Sequence, residues 1–227
     1  MAILIVAAVV PAVILLIKIY RLDRLERESP TLLLRLLIVG VASTILASLA
    51  EMAGEYLLAL ALPEEHPAAD ILRYFVIVAF AEEGFKYFVM KRRTWNDPQF
   101  NCQFDGVVYA AFVSLGFALW ENIAYVMRYG MGTAIARAIT AIPGHACFGV
   151  FMGVFYGIAK KYDYADTQGK MKIFSILSVV VPALLHGAYD YIASAESGTW
   201  YFVGFVAVLF AVSYLLVGRM SKKDQYI

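Results

Sequence analysis

Apolar blocks of about 20 residues recur along the whole chain, each long enough to cross a hydrocarbon core roughly 30 Å thick. Such a chain has few ways to fold. Inside a bilayer every backbone N–H and C=O must find its partner within the protein, which makes each block an α-helix. The balance of residue types agrees: the 227 residues are 62% hydrophobic and 16% charged, where a soluble domain carries about 25% charge. The blocks predict an all-α polytopic transmembrane bundle of about seven spans, at 2–20, 31–50 (or on to 62), 69–91, 105–128, 133–160, 171–193 and 199–218. No connecting loop is long enough to hold a core of its own, so residues 1–227 read as one integral-membrane domain.

Basic residues orient the spans. Lys18, Arg21, Arg24 and Arg27 follow the first, Lys91, Arg92 and Arg93 the third. Lys160, Lys161, Lys170 and Lys172 follow the fifth, and Arg219, Lys222 and Lys223 the last. Loops 63–68 and 194–198 contain neither Lys nor Arg, and the loop at 129–132 has only the flanking Arg128 and Arg137. The positive-inside rule then places the N-terminus outside and the C-terminus in the cytoplasm. Met1 to Ile17 lacks the basic leader of a signal peptide, so it reads as a retained first span. A net charge of +1 leaves no footprint for nucleic acid. Cys102 and Cys147 fall in a loop and in a span and imply no disulfide framework.

Against this apolar background the ionisable residues stand out, because one at mid-bilayer costs roughly 2.5–3.5 kcal/mol. The third span carries Glu82, Glu83 and Lys86, spaced so that both carboxylates reach the ammonium. The fourth carries Glu121 and Asn122, the fifth Pro143-Gly144-His145, and the sixth His186 and Asp190 on one helix face. At a rise of 1.5 Å per residue, Glu121 and His186 lie roughly 12 Å from the outer ends of their helices, Glu82 and His145 roughly 18–20 Å. Six such groups facing lipid would cost on the order of 15–20 kcal/mol. One shared hydrated cavity is the economical arrangement.

Taken singly, each group has a plainer reading. Glu82, Glu83 and Lys86 can be a structural ion network, His145 a hydrogen-bonded core residue, and Glu121-Asn122 interhelical glue. Together, three glutamates, two histidines and an aspartate suit activation of water by a carboxylate base or a metal. Glu51 and Glu55 lie nearer the outer interface and read as structural or solvated, and His66 as a surface residue. Gly149, Gly153 and Gly157 form a smooth face for close helix packing.

At these residues the chain resembles the PrsW family of bacterial intramembrane proteases, distant relatives of the type II CAAX prenyl proteases. Glu82-Glu83-x-x-Lys86, Phe117-x-x-x-Glu121-Asn122, Pro143-Gly144-His145 and His186-x-x-x-Asp190 occur in the family's order on successive spans. The resemblance implies a membrane protease that makes the first, extracytoplasmic cut in a single-span anti-sigma factor during envelope-stress signalling. The expected catalytic residues are Glu82, Glu83, Lys86, Glu121, Asn122, His186 and Asp190. Glu82 or Glu83 is the base kept ionised by Lys86. His186, oriented by Asp190, binds water or metal or serves the oxyanion, and Asn122 is a neutral oxyanion donor. In a zinc version the ligands come from His145, His186 and one or more of Glu83, Glu121 and Asp190, although no His-Glu-x-x-His motif is present. Two other classes remain open: a proton- or cation-coupled transporter, and a noncatalytic scaffold that binds other spans.

Overall fold

A computed structural model describes residues 1–195 and 198–227; two residues of the predicted 194–198 loop lie outside that range. Among the described residues eight helices follow in order: α1 (Ala2–Leu22), α2 (Pro30–Ala61), α3 (69–94), α4 (Asp105–Tyr129), α5 (Met131–Ile139), α6 (Ala141–Tyr164), α7 (Gln168–Ser194) and α8 (Thr199–Lys222). Among the described residues, six helical stretches are long and apolar enough to cross a membrane, one of them α5 and α6 taken together. Helix α3, the remaining predicted span, is not among them and carries Arg73, Glu82, Glu83 and Lys86. The all-helical bundle expected from the sequence is what forms. Among the described residues the only β-type pairing is an isolated bridge between Cys102 and Tyr226.

Local chemistry sets the helix boundaries. Ser29 caps α2 by accepting from the Leu32 N–H at 3.3 Å, and Pro30 occupies the first helical position, where its missing N–H is not needed. Helix α4 ends at Gly130, whose φ of 86° turns the chain directly into α5. The predicted span 133–160 is divided at Thr140, whose φ of −122° and ψ of −72° interrupt the helix. Pro143 then sits in the first turn of α6, where no intrahelical partner awaits its nitrogen. Part of α3, Leu72–Val78, is wound as a π-helix before α-helical winding resumes at Ala79.

Helix α4 is the centre of the bundle. It packs against α1, α2 and α6, while α3 lies between α2 and α7, and α8 leans on α6 and α7. Small residues permit the closest crossings. A Cβ on Gly106 would stand 2.7 Å from the Gly153 carbonyl oxygen and from the Gly157 nitrogen, and Gly40 and Gly116 bring α2 against α4 in the same way. Close backbone approach replaces the hydrophobic drive that lipid cannot supply. Gly153→Val is therefore expected to destabilise the fold by about 1–3 kcal/mol. Gly204→Val on α8, where a Cβ meets nothing within 4 Å, should stay within about 0.5 kcal/mol. Unfolding titrations in SDS mixed micelles compare the two.

Candidate active site

Helices α3, α4, α6 and α7 bring their ionisable residues to one place. Lys86 is at the centre and is wholly buried. Its Nζ donates to Glu82 Oε2 at 3.0 Å and Glu83 Oε1 at 2.7 Å, and meets His145 Nδ1 at 3.2 Å. The same ammonium lies 4.0 Å from the centroid of the Phe117 ring, a cation–π contact that adds attraction in a dry setting. Phe117, one turn before Glu121, thus has a physical task that its spacing alone does not disclose.

The histidines extend the network. Because the ammonium can only donate, the Lys86 contact makes His145 Nδ1 an acceptor. His145 Nε2 then donates to Glu121 Oε2 at 2.9 Å. His186 Nδ1 lies 3.0 Å from Glu83 Oε1 and 3.8 Å from Glu82 Oε2, and its Nε2 lies 3.4 Å from Asp190 Oδ2. Phe148 stacks on the His186 ring with centroids 4.7 Å apart and fixes its plane. The expected alignment of His186 by Asp190 is matched by a shorter contact to Glu83 from the opposite side.

The network walls a cavity of about 420 Å³. Glu51, Glu82, Glu121, His145, His186 and Asp190 reach its surface, together with Arg137. Glu83 and Lys86 are absent from that lining and completely buried. They stand behind Glu82 and not beside it. The two adjacent glutamates therefore differ in kind: Glu82 faces the cavity, and Glu83 anchors Lys86 and His186.

Two residues depart from the sequence-based expectation. Asn122, expected to serve an oxyanion, is fully buried with both ends of its amide engaged. Its Nδ2 donates to the Ala8 carbonyl at 2.8 Å, and its Oδ1 accepts from Arg137 Nε at 3.0 Å. Arg137, read from sequence only as a charge flanking an outer loop, donates from Nη2 to Glu121 Oε2 at 2.8 Å. The break at Thr140 is what lets α5 carry it back over the site. Glu55 pairs with Arg73 at 3.2 Å, as a structural role requires, whereas Glu51 lines the cavity. His66 is exposed, and Cys102 and Cys147 are both buried free thiols.

The donor set also fits a metal ion. Glu82, Glu83 and His145 offer ligand atoms that all lie within 4.8 Å of one another, and Glu83 Oε2 is buried without a hydrogen-bond partner. Carboxylate and imidazole donors suit zinc, and the Glu121 contact to the second ring nitrogen of His145 is the kind that orients a metal-bound imidazole. Lys86 now gathers the same three side chains.

Known proteins resemble this chain in sequence. The chain is 37% identical over 201 residues to Protease PrsW of Geobacillus kaustophilus (strain HTA426), covering 88% of this chain and 84% of that one. It is 33% identical over 197 residues to Protease PrsW of Bacillus subtilis (strain 168), covering 87% and 85%. With Protease PrsW of Shouchella clausii (strain KSM-K16) it shares 30% identity over 227 residues, 98% of each chain. No solved structure matches. Residues 28–217 match the family described as PrsW family intramembrane metalloprotease, and with the four motifs gathered around one intramembrane cavity, the chain belongs to that family of multi-pass bacterial membrane proteases.

Proposed function

We propose that the chain hydrolyses a peptide bond in the extracytoplasmic, juxtamembrane part of a single-span anti-sigma factor, with Glu82 as the general base. The observation that carries this assignment is the division of labour between neighbours: Glu82 borders the cavity, while Glu83 and Lys86 are sealed behind it. A water in the cavity gives its proton to Glu82 as its oxygen attacks the scissile carbonyl carbon. Lys86 Nζ donates to Glu82 Oε2 at 3.0 Å and fixes that carboxylate at the cavity wall. His186, held through Nδ1 by Glu83, donates its Nε2–H to the oxyanion as it forms, beside Asp190. Glu82 returns its proton to the leaving amine and the C–N bond breaks. Arg137 and Asn122 are positioning residues that fix Glu121, which in turn holds His145.

A second version is favoured by the close approach of Glu82, Glu83 and His145. Zinc held by these three would supply Lewis-acid polarisation of the carbonyl and a more acidic water. Glu82 is a ligand in that version and a base in the first. The substrate follows from the family resemblance, and the orientation from the basic loops at one end of the bundle.

Purified protease and a single-span anti-sigma factor, co-reconstituted in liposomes, test both parts. Cleavage on the extracytoplasmic side is expected. Undiminished cleavage after chelation and dialysis selects the glutamate version, and loss restored by Zn²⁺ selects the metal version. A substrate left intact by protease that cleaves another membrane protein removes the anti-sigma factor assignment.

A further inference from the structure

A second cavity, a groove of about 680 Å³, lies on the far side of α6 from the active site. At 3.6 residues per turn, α6 presents Ala141, His145 and Phe148 on one face and Pro143, Ala146 and Val150 on the opposite one. The first set borders the active-site cavity and the second borders the groove. Helices α1 and α8 form its other walls, through apolar residues such as Ile19 and Phe210. Along α8 the groove runs from Phe210 to Lys222, about 18 Å at 1.5 Å per residue. That is close to one leaflet of a hydrocarbon core roughly 30 Å thick.

One end of this groove is basic. Lys18, Arg24, Arg219 and Lys222 all line it, and among the described residues that do so none is acidic. Contacts between α1 and α8 bring the four together. The Ser221 hydroxyl donates to the Leu22 carbonyl, which sets the last turn of α8, with Arg219 and Lys222, beside the end of α1 and Arg24. A turn before Leu22, Lys18 Nζ rests over the Tyr214 ring of α8, 5.0 Å from its centroid. All four cations are exposed, and among the described residues none of them forms an ion pair.

We propose that the groove binds one anionic phospholipid, its phosphate at Arg24, Arg219 and Lys222 and an acyl chain lying between α1, α6 and α8. Charge complementarity selects the headgroup. A zwitterionic lipid carries its own ammonium, which finds no carboxylate in the lining, whereas a phosphatidylglycerol headgroup brings negative charge alone. Lys18 snorkels from its higher turn toward the same phosphate. Basic pockets between membrane helices at the cytoplasmic side suit such headgroups, and the basic loops put this end of the bundle there. Length selects a lipid over a helix. A substrate span needs the full core of roughly 30 Å, and the groove offers about 18 Å.

Headgroup and acyl path can be removed separately. Each Lys or Arg beside an anionic lipid contributes about 5-fold in affinity, so neutralising Arg219 and Lys222 together should cost at least 10-fold. Gly218 lines the groove, and a Cβ placed on it meets nothing within 4 Å. Gly218→Phe therefore fills the path of the acyl chain while every cation stays in place.

The test is native mass spectrometry of full-length protein in dodecyl maltoside micelles doped with phosphatidylglycerol, or with phosphatidylcholine of the same acyl chains. One phosphatidylglycerol per chain is expected, retained at least 10-fold better than phosphatidylcholine. Retention should fall at least 10-fold in Arg219→Gln with Lys222→Gln, and again in Gly218→Phe. It should hold in Arg92→Gln with Arg93→Gln, which removes the same charge from exposed positions outside the groove. Matched SDS unfolding curves check that each variant is folded. Equal retention of the two lipids, or equal loss in the Arg92 and Arg93 variant, overturns the proposal. So does retention that Gly218→Phe leaves unchanged. If that variant keeps its lipid but no longer cleaves a single-span substrate, the groove belongs to a substrate helix instead.

Discussion

Glu82→Gln should lower the turnover of a reconstituted substrate by on the order of 10²–10⁴-fold, the usual contribution of a positioned proton acceptor. Substrate affinity and folding should change little, because the amide keeps the size of the carboxylate and Glu82 is one of two carboxylate partners of Lys86. Glu83→Gln should also impair cleavage, but with a different signature. Glu83 Oε1 is the acceptor for both Lys86 and His186, so its loss loosens both and shows as reduced stability alongside reduced turnover. Single-turnover cleavage paired with an unfolding titration separates the two glutamates. Equal loss of turnover with equal loss of stability would sink the assignment of Glu82 as base.

Lys86→Met should produce the largest change in stability. Removing the ammonium leaves Glu82 and Glu83 without the cation that pairs them, and breaking a buried pair this way costs about 3–5 kcal/mol. The loss belongs to the stranded charge and not to the ammonium as such. Lys86→Met combined with Glu83→Gln should accordingly recover part of it, giving a coupling of about 1–3 kcal/mol in a double-mutant cycle. Additive losses in SDS unfolding would show that the network is not the source of the effect.

The sequence disclosed most of what lies within single helices. Glu82, Glu83 and Lys86 are spaced by three and four residues, and a helix must bring such side chains together. Comparable depths for Glu82, Glu121, His145 and His186 followed from rise per residue, and the cavity they share follows from the cost of exposing them to lipid. What escaped depended on departures from a straight helix. Arg137 reaches Glu121 because the backbone breaks at Thr140, and no periodicity announces that break. Asn122 is adjacent to Glu121 in sequence, but successive helical residues do not face the same way. One therefore enters the cavity while the other reaches the Ala8 carbonyl on α1. The distinction between Glu82 and Glu83 was hidden for the same reason, since both satisfy the spacing to Lys86 and burial alone separates them.

The π-wound turn at Leu72–Val78 carries Arg73, the partner of Glu55, and ends one turn before Glu82. A π-turn accommodates an extra residue within a helical path, and such turns are typically short insertions in α-helices. Helix α3 thus contains a place where chain length is uncoupled from the depth of the reacting carboxylate. Loss of one residue from 72–78 can be absorbed by rewinding to an α-helix, with rotation falling on Arg73 and Tyr74 and leaving Glu82 at its level. Insertions and deletions, elsewhere the harshest changes a membrane helix can suffer, have here a local outlet through which lineages can vary the rim of the cavity without moving its chemistry.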